Sequence, residues 1–417
     1  MYTWWTRQLP TSETRHYAGV KALLLENVHS VAVSTLEEAG FEVETRTGAL
    51  GEAELTAALR DVDVLGIRST TQVTRAALAA NPHVQAVGAF CIGTNQVDLA
   101  AAASLAIPVF NAPFSNTRSV VELAIAEIIV MARRLTEKDR RLHDGVWDKQ
   151  AVGSHEIRGR KLGIVGYGNI GSQLSVIAEM LGMDVYFYDT TDKLALGNAT
   201  RCGSLEELLD VAECVTLHVD GNMANSGFFG AEQFARMRPR SLFLNLSRGF
   251  VVDYDSLREH LESGHIAGAA VDVFPNEPKK LGDPFSSPLQ GLPNVVLTPH
   301  VGGSTEEAQE DIGRFVAGKL RDYMQLGTTT LCVNLPALTL SHSPGEVRLA
   351  HIHANTPGVM ATVNALLAEH GVNIDGQLLA THGHYGYVVT DVGENIPDSA
   401  IEAIRNMPET RRLRVLA

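Results

Sequence analysis

The sequence predicts an α/β protein in which two parallel-sheet domains precede a smaller module of a different type. Three observations support this prediction. Short apolar runs alternate with helical patterns, one run is followed by a glycine-rich turn, and the order of elements changes after residue 345. A length of 417 residues and a hydrophobic fraction of 45% allow two or three domains, each with its own core.

The first two sheets are predicted from two successive series of apolar runs. The first series places strands at residues 21–25, 41–45, 64–67, 84–90 and 107–110, with a helix at 30–39 that Gly40 ends. A helical pattern over 118–135 is apolar on most of its faces, so we expect it to be heavily buried. The second series begins at 161–165 and ends at 295–298. The break between two doubly wound domains is therefore expected near the long helix.

The C-terminal residues predict a split βαβ, ferredoxin-like module. The order is strand, helix, two strands, helix and strand, at 346–353, 358–370, 372–379, 385–392, 399–406 and 412–416. Residues 341–345 include Pro344 and Gly345 and predict a linker. The first 18 residues are expected to lie outside the fold.

Composition excludes several classes of function. A net charge of −14 argues against binding to nucleic acid or to an anionic membrane surface. The most apolar helical run, 120–132, is too short for a bilayer and contains Glu122 and Glu127. The four cysteines have no close pairing, which favours reduced thiols in a cytoplasmic protein. No metal ion is expected.

The clearest chemical motif is a dinucleotide fingerprint. Gly166, Gly168 and Gly171 follow a predicted strand and open a helical pattern, and Asp189 ends the next strand 18 residues later. Such glycines let the backbone approach a pyrophosphate at a helix N-terminus, and the carboxylate binds ribose hydroxyls and repels a 2′-phosphate. The motif predicts NAD rather than NADP. The alternative is a helix-capping loop with a solvated aspartate.

Three further strand ends carry polar groups that can meet in one crevice. Arg248 follows one strand, Asp272 and Glu277 follow another, and His300 follows a third. Arg248 can bind a carboxylate through two hydrogen bonds, and His300 can take a hydroxyl proton while Glu277 orients the imidazole. The alternatives are a surface ion pair, a loop glutamate and a histidine satisfied by the backbone.

These motifs together resemble the D-isomer-specific 2-hydroxyacid dehydrogenases. Two segments, FCIGTNQVD at 90–98 and NAPFSNTRSV at 111–120, are similar to signatures of the members that oxidise D-3-phosphoglycerate. The resemblance covers nearly everything from Val20 to the end. It implies NAD-dependent oxidation of D-3-phosphoglycerate to 3-phosphooxypyruvate, the first step of L-serine biosynthesis, by a homotetramer. It leaves two alternatives: reduction of another 2-oxo acid such as 2-oxoglutarate or glyoxylate, and a non-catalytic NAD-sensing protein.

The resemblance also implies site residues and domain boundaries. It implies a flavodoxin-like substrate domain at 1–115 and 304–340, a Rossmann NAD domain at 116–303 and an ACT domain at 345–417. The catalytic triad would be Arg248, Glu277 and His300. The cofactor contacts would be Gly166, Gly168, Asn169, Ile170, Gly171, Asp189, Leu246, Ser247, Asp272, Gly302 and Gly303.

For the substrate, the resemblance implies Arg68, Ser69, Asn111, Arg248 and Lys149, the last from a neighbouring subunit. Some bacterial relatives have a second arginine where this chain has Thr70, so either Asn111 and Arg68 would do more of the phosphate binding, or Lys149 would reach over from a neighbouring subunit. In the ACT domain, His353, Asn355 and Asn373 would bind L-serine as a feedback inhibitor. The alternative is a module that only holds the oligomer together.

Overall fold

The computed structural model describes residues 19–278, 282–340, 347–393 and 396–416. The chain divides into two compact units, of which the first is Met1–Pro113 with Glu310–Ala417 and the second is Phe114–Gln309. The predicted N-terminal extension (1–18) and the predicted linker (341–345) lie outside the described residues. The domain boundaries inferred from the sequence stay a prediction.

The first unit begins with a five-stranded parallel sheet. Its strands and helices are β1 (Lys21–Leu24), α1 (Ser30–Glu38), β2 (Glu42–Thr45), α2 (Glu52–Ala58), β3 (Val64–Ile67), α3 (Arg75–Ala79), β4 (Ala86–Ala89), α4 (Leu99–Ser104) and β5 (Val109–Phe110). The strand order is β2-β1-β3-β4-β5, the flavodoxin-like order. β3 and β4 are buried at every residue because helices cover both faces of the sheet.

The second unit is a seven-stranded parallel sheet with helices on both faces. Its elements are α5 (Thr117–Arg133), α6 (Leu135–His143), β6 (Lys161–Val165), α7 (Asn169–Met180), β7 (Asp184–Tyr188), β8 (Thr200–Arg201), α8 (Leu205–Val211), β9 (Cys214–Leu217), α9 (Ala231–Arg236), β10 (Ser241–Asn245), α10 (Tyr254–Glu262), β11 (Ile266–Val271) and β12 (Val295–Leu297). The order β12-β11-β10-β9-β6-β7-β8 is that of a Rossmann fold, with its switch point between β6 and β9.

The chain then returns to the first unit through α11 (Glu306–Leu326). The part of α11 within that unit packs Val316, Leu320 and Tyr323 into a core shared with Leu24 and Phe90. The remaining elements are β13 (Val347–Ala354), α12 (Val359–Glu369), β14 (Ile374–His382), β15 (Tyr385–Val392), α13 (Asp398–Arg405) and β16 (Thr410–Leu416). They form an antiparallel sheet in the order β14-β15-β13-β16 with two helices, which confirms the ferredoxin-like prediction.

The C-terminal sheet packs on both of its faces within the first unit. Alternate residues of β13 explain this: Leu349 packs with α12 and α13, whereas Ala350 and Ile352 pack with Leu335 and Ala106. Polar contacts with backbone carbonyls extend the second of these interfaces. The donors are guanidinium groups and one phenol: Arg348 to Leu326, Arg412 to Pro82, Val84 and Leu105, Arg414 to Tyr323 and Met324, and Tyr387 to Gly327.

The α/β fold class, with two parallel sheets and a third, antiparallel one, is therefore confirmed. The predicted long helix at 118–135 is wrong at its end: α5 stops at Arg133 because Arg134 adopts a left-handed conformation (φ +52°), and α6 follows at once. Among the described helices, none combines the length and the apolar character needed to cross a bilayer.

The buried histidine His351 makes a prediction about acid stability. Its Nε2 lies 2.8 Å from Thr410 Oγ1, and its buried Nδ1 has no partner among the described residues. Burial, with a smaller contribution from the charge of His353, lowers the pKa of His351 to about 3. In the unfolded chain a histidine has a pKa near 6.5, so the neutral ring stabilises the fold fully above that pH and progressively less as the pH falls towards 3.

We therefore expect His351→Gln to reduce the acid-induced loss of stability. The measurement is the thermal unfolding midpoint of the full-length protein between pH 7 and pH 4. The exposed His384, replaced by glutamine, is the matched control. Equal pH dependence in the wild-type protein and His351→Gln would contradict the prediction.

Candidate active site

The glycine-rich turn after β6 is shaped to receive a dinucleotide. Gly166 has φ +93°, and a Cβ there would lie 2.5 Å from His218 O, while a Cβ at Gly171 would lie 2.2 Å from Gly166 O. A Cβ added at Gly168, by contrast, would have no neighbouring atom within 4 Å. No side chain caps the start of α7 at Gly168, so backbone N–H groups of the first turn remain available. These features fit a pyrophosphate at the helix N-terminus.

Asp189 lies at the carboxyl end of β7, beside this turn. Its Oδ2 accepts a hydrogen bond from Tyr167 N (2.8 Å), and its Oδ1 accepts two from Thr191, from the backbone N (2.9 Å) and Oγ1 (2.8 Å). Partial burial acts to raise the pKa of Asp189, but these hydrogen bonds outweigh it and the pKa is lowered. Oδ2 accepts only one of these bonds, so it retains capacity for a ribose hydroxyl.

Arg248 is positioned by a buried polar network that follows β10. Asn245 Nδ2 donates to Arg248 O (3.1 Å), and Asn245 Oδ1 accepts from Ser247 N and Oγ. Tyr254 donates its hydroxyl hydrogen to Val273 O (2.7 Å) and lies 3.0 Å from Asn245 Nδ2. The Arg248 loop is thereby tied to the segment that follows β11. Sequence reasoning missed Asn245 and Tyr254, because each looks like an ordinary strand or helix residue.

Gly249 brings the same two segments into close contact. A Cβ at position 249 would lie 2.0 Å from the carbonyl carbon of Phe274 and 2.4 Å from Pro275 N. A backbone cannot yield to such a contact as a flexible side chain can, so only glycine fits here without a shift of the main chain.

Glu277 and His300 form a hydrogen-bonded pair. His300 Nδ1 lies 2.8 Å from Glu277 Oε2, and Phe274 N donates to Glu277 Oε1 (3.0 Å). The hydrogen bond to Glu277 raises the pKa of His300, and partial burial opposes it. Burial acts to raise the pKa of Glu277, but His300 and Phe274 N outweigh it and lower that pKa. Arg248 is close enough for its charge to act on both groups.

Asp272 fixes the loop that carries His300. The buried carboxylate accepts hydrogen bonds from Thr298 Oγ1 (2.6 Å), Val301 N (2.8 Å) and Gly302 N (2.8 Å). His300, between these donors, has φ +54°, an unfavourable conformation for a side chain other than glycine. Thr298, which the sequence analysis did not select as a site residue, is part of this arrangement. The second unit thus brings Arg248, Asp272, Glu277 and His300 together, as predicted from strand ends.

Glu127 is a buried acid near this loop that sequence reasoning also missed. It lies on α5 and is 3% exposed, and neither carboxylate oxygen has a hydrogen-bond partner among the described residues. Burial, and to a smaller extent the charge of Asp272, raises the pKa of Glu127 to about 8. A signal was present, because position 127 falls on the same helical face as Val120, Ala124 and Met131.

The predicted substrate residues Arg68, Ser69 and Asn111 lie in the first unit. Arg68 and Ser69 follow β3, and Asn111 follows β5 and donates to Ile92 O (2.5 Å). Glu26, which was not predicted, accepts hydrogen bonds from Thr70 N (2.9 Å) and Thr71 N (2.8 Å) and so fixes the turn after Arg68. Lys149 lies in the second unit, in the segment between α6 and β6.

The predicted serine-binding residues lie in the C-terminal sheet of the first unit. His353 is buried, with Nδ1 2.8 Å from Ala354 O, and its Nε2 lacks a partner within the described ranges. Asn355 is exposed and donates to Gly383 O (3.1 Å). Asn373 is also exposed, and its Nδ2 donates to Asp375 Oδ1 (3.4 Å). In the part of the chain that is described, no group of three or more His, Cys, Asp or Glu side chains could hold a metal ion.

Comparison with known proteins gives the family. Residues 125–302 match the D-isomer specific 2-hydroxyacid dehydrogenase NAD binding domain, and residues 349–412 match the AHAS small subunit-like ACT domain. The chain therefore belongs to the D-isomer-specific 2-hydroxyacid dehydrogenases. It is an NAD-dependent enzyme of that class.

Within the family, the chain is similar to enzymes named D-3-phosphoglycerate dehydrogenase. It is 50% identical to that of Escherichia coli (strain K12) over 400 residues, which cover 95% of this chain and 97% of the relative. It is 48% identical to that of Haemophilus influenzae over 398 residues, with the same coverage. Among solved structures, the TT0316 protein of Thermus thermophilus superposes with a TM-score of 0.67 at 29% identity, covering 73% of this chain and 97% of that one.

Asp189 makes a prediction about cofactor choice. Asp189→Ala removes the carboxylate that we expect to bind ribose hydroxyls and repel a 2′-phosphate. The KM for NAD should therefore rise, and the preference for NAD over NADP should become smaller. Steady-state kinetics with both cofactors measures this. Asp192→Ala removes an equal charge from an exposed carboxylate three residues away and should change neither KM. If Asp189→Ala leaves both constants unchanged, Asp189 does not bind the ribose.

Proposed function

We propose that this enzyme oxidises D-3-phosphoglycerate to 3-phosphooxypyruvate with NAD, in the first step of L-serine biosynthesis. The observation that carries the proposal is the 2.8 Å contact between His300 Nδ1 and Glu277 Oε2, on the same sheet edge as Arg248 and the glycine-rich turn. The substrate is supported by 50% identity to D-3-phosphoglycerate dehydrogenase of Escherichia coli over almost the whole chain.

In the proposed mechanism, His300 is the general base. Bound NAD supplies the acceptor for the hydride that leaves the carbon bearing the hydroxyl group. Glu277 occupies Nδ1, so Nε2 is the ring nitrogen that can take the hydroxyl proton. Glu277 stabilises the imidazolium that results, which is also why the pKa of His300 is raised. In the reverse direction, the same protonated ring donates to the carbonyl oxygen.

Arg248 is the proposed partner of the substrate carboxylate. One of its donors, Nη1, is used in a 2.7 Å hydrogen bond to Ser247 O, which holds the side chain and leaves the other guanidinium N–H groups available. A planar guanidinium can bind a carboxylate through two parallel hydrogen bonds. We keep Arg68, Ser69, Asn111 and Lys149 as proposed substrate-binding residues.

We further propose that L-serine inhibits the enzyme through the C-terminal ACT domain, at His353, Asn355 and Asn373. The match of residues 349–412 to an ACT domain supports a role for this part of the chain in binding a small molecule. The homotetramer and the cytoplasmic location also stay predictions. The competing hypothesis for the ACT domain is a purely structural role in the oligomer.

The direct test is turnover measured by the absorbance of NADH. We expect oxidation of D-3-phosphoglycerate, and much slower oxidation of D-glycerate, which lacks the phosphate. Reduction of 2-oxoglutarate and glyoxylate with NADH tests the alternative 2-oxo acids. Faster turnover of either one would overturn the proposed substrate, and NAD binding without turnover of any substrate would favour an NAD-sensing protein.

His300→Ala should reduce kcat by about 10²–10⁴-fold, the usual contribution of a positioned acid or base, and leave NAD binding largely unchanged. Glu277→Gln tests the pairing separately. Oxidation requires neutral His300, so kcat/KM should rise with pH through the pKa of that histidine. Because Glu277 raises that pKa, its replacement should move the rise to lower pH. A profile that does not move, or His300→Ala with the parent rate, would contradict these roles.

Asn355→Ala should abolish inhibition by serine and leave most of the catalytic rate. The measurement is a titration of the full-length enzyme with serine, with Asn364→Ala, a half-buried asparagine on α12, as the control. If millimolar serine does not change the rate of the intact enzyme, the ACT domain is structural here and the regulatory proposal is wrong.

A further inference from the structure

A cavity of about 260 Å³ lies in the second unit, at the amino ends of the strands, whereas the glycine-rich turn lies at their carboxyl ends. Its wall comes from residues at the amino ends of strands: Arg160 precedes β6, Glu213 precedes β9, Ser241 begins β10 and Asn294 precedes β12. The five residues of β6 separate it from the turn by about 16 Å. Its volume far exceeds the ~10–15 Å³ that one water requires.

The charges around this cavity are mostly positive. Four arginines line it: Arg134, Arg160, Arg238 and Arg240. Arg134 is paired with Glu137 (2.6 Å) and Arg160 with Glu213 (3.6 Å). Among the described residues, neither Arg238 nor Arg240 has a carboxylate within ion-pair distance, and both are exposed. The lining therefore includes two arginines without an ion pair, in a protein of net charge −14.

Backbone strain is concentrated at the same cavity. Within the described part of the second unit, four residues other than glycine have a positive φ: Arg134 (+52°), Arg240 (+66°), Asn294 (+52°) and His300 (+54°). His300 belongs to the proposed catalytic pair, and the other three all line this cavity. Left-handed backbone is unfavourable for arginine, and strained backbone clusters at sites that hold ligands. Arginine has no side chain–backbone hydrogen bond that would favour this conformation, unlike asparagine.

Two buried polar side chains of the cavity lining each have one oxygen without a partner, while Asn294 Nδ2 donates to Ala267 O (2.8 Å). Ser241 is 1% exposed and Asn294 is 6% exposed, and Ser241 Oγ and Asn294 Oδ1 have no hydrogen-bond partner among the described residues. A hydroxyl can donate to an anionic oxygen, and an amide oxygen can accept from a water or from a hydroxyl group of a ligand. Both oxygens are out of contact with solvent, so they meet a ligand in the cavity only if the side chains turn towards it.

We propose that this cavity is a second ligand site, distinct from the NAD site, and that it binds a phosphate group. Two planar guanidinium groups match the charge and the oxygen geometry of a phosphate dianion. The enclosure by strand ends favours a small molecule, either inorganic phosphate or a phosphate monoester. The inference does not rest on the proposed substrate, because it uses none of the residues assigned to catalysis.

The test is isothermal titration calorimetry of the full-length protein with inorganic phosphate, at ionic strength held constant with NaCl. The double variant Arg238→Ala with Arg240→Ala should weaken phosphate binding at least about tenfold, because each lost charge-assisted hydrogen bond contributes more than a neutral one. Arg240→Lys, which keeps the charge, should weaken it less. Arg258→Ala, an exposed arginine of α10 paired with Glu262, should leave it unchanged.

Arg240→Gly gives an independent readout, because glycine relieves the left-handed backbone and also removes the charge. In phosphate-free buffer its thermal unfolding midpoint should rise, whereas its gain from added phosphate should be smaller than that of the wild-type protein.

Arg248→Gln tells which site binds the phosphate. If this variant still binds phosphate with the wild-type Kd, the catalytic arginine is not the phosphate ligand. Glycerol 2-phosphate, used as a second titrant, distinguishes the two sources: tighter binding than inorganic phosphate indicates an organic ester.

Three results would overturn the proposal. The first is no phosphate binding by the intact protein at millimolar concentration. The second is an unchanged Kd in the double variant. The third is loss of binding in Arg248→Gln with binding kept in the double variant, which would assign the phosphate to the catalytic residues.

Discussion

One buried carboxylate holds the reactive part of the second unit together. Asp272 accepts three hydrogen bonds from the loop around His300, and each such bond to a carboxylate contributes about 1.5–3 kcal/mol. The loop needs this support because His300 has a left-handed backbone. Without Asp272, the backbone on both sides of His300 would lose these three hydrogen bonds, and the pair with Glu277 would alone hold the imidazole.

The five residues after Asp272 connect every proposed catalytic group. Val273 O accepts a hydrogen bond from Tyr254, and Phe274 N donates to Glu277. The backbone of Phe274 also lies so close to position 249, next to Arg248, that only glycine fits there. A displacement of this segment would therefore move Glu277, its partner His300 and Arg248 together. The site is one connected arrangement at three strand ends and not three independent side chains.

Sequence patterns predicted what depends on local order, and they failed where tertiary contacts decide. The glycine-rich turn and the strand ends with Arg248, Glu277 and His300 were predictable because period and spacing place them on one sheet edge. Glu26 was not, because its partners Thr70 and Thr71 lie more than forty residues along the chain. Glu127 was missed because its carboxylate lacks a partner among the described residues. Asn245 was missed because its contacts, although short in sequence, depend on how the loop after β10 folds. The helix break at Arg134 was missed for a similar reason, since the apolar pattern itself continues to Leu135. The cavity at the amino ends of the strands combines residues of many separate elements, and no local pattern in the sequence reveals it.

The contacts that hold the C-terminal sheet within the first unit have a consequence for how the chain can change over evolution. Arg348, Arg412 and Arg414 donate to main-chain carbonyl oxygens of the other elements of that unit. A carbonyl oxygen is present whatever the side chain, and even Pro82, which has no N–H, serves as an acceptor. One partner in each contact is thus insensitive to amino-acid substitution. For these polar contacts, the receiving surface can change its side chains as long as its backbone path is kept, and retention depends on the three arginines. The apolar contacts of Leu335 and Ala106 with the sheet remain sensitive to substitution.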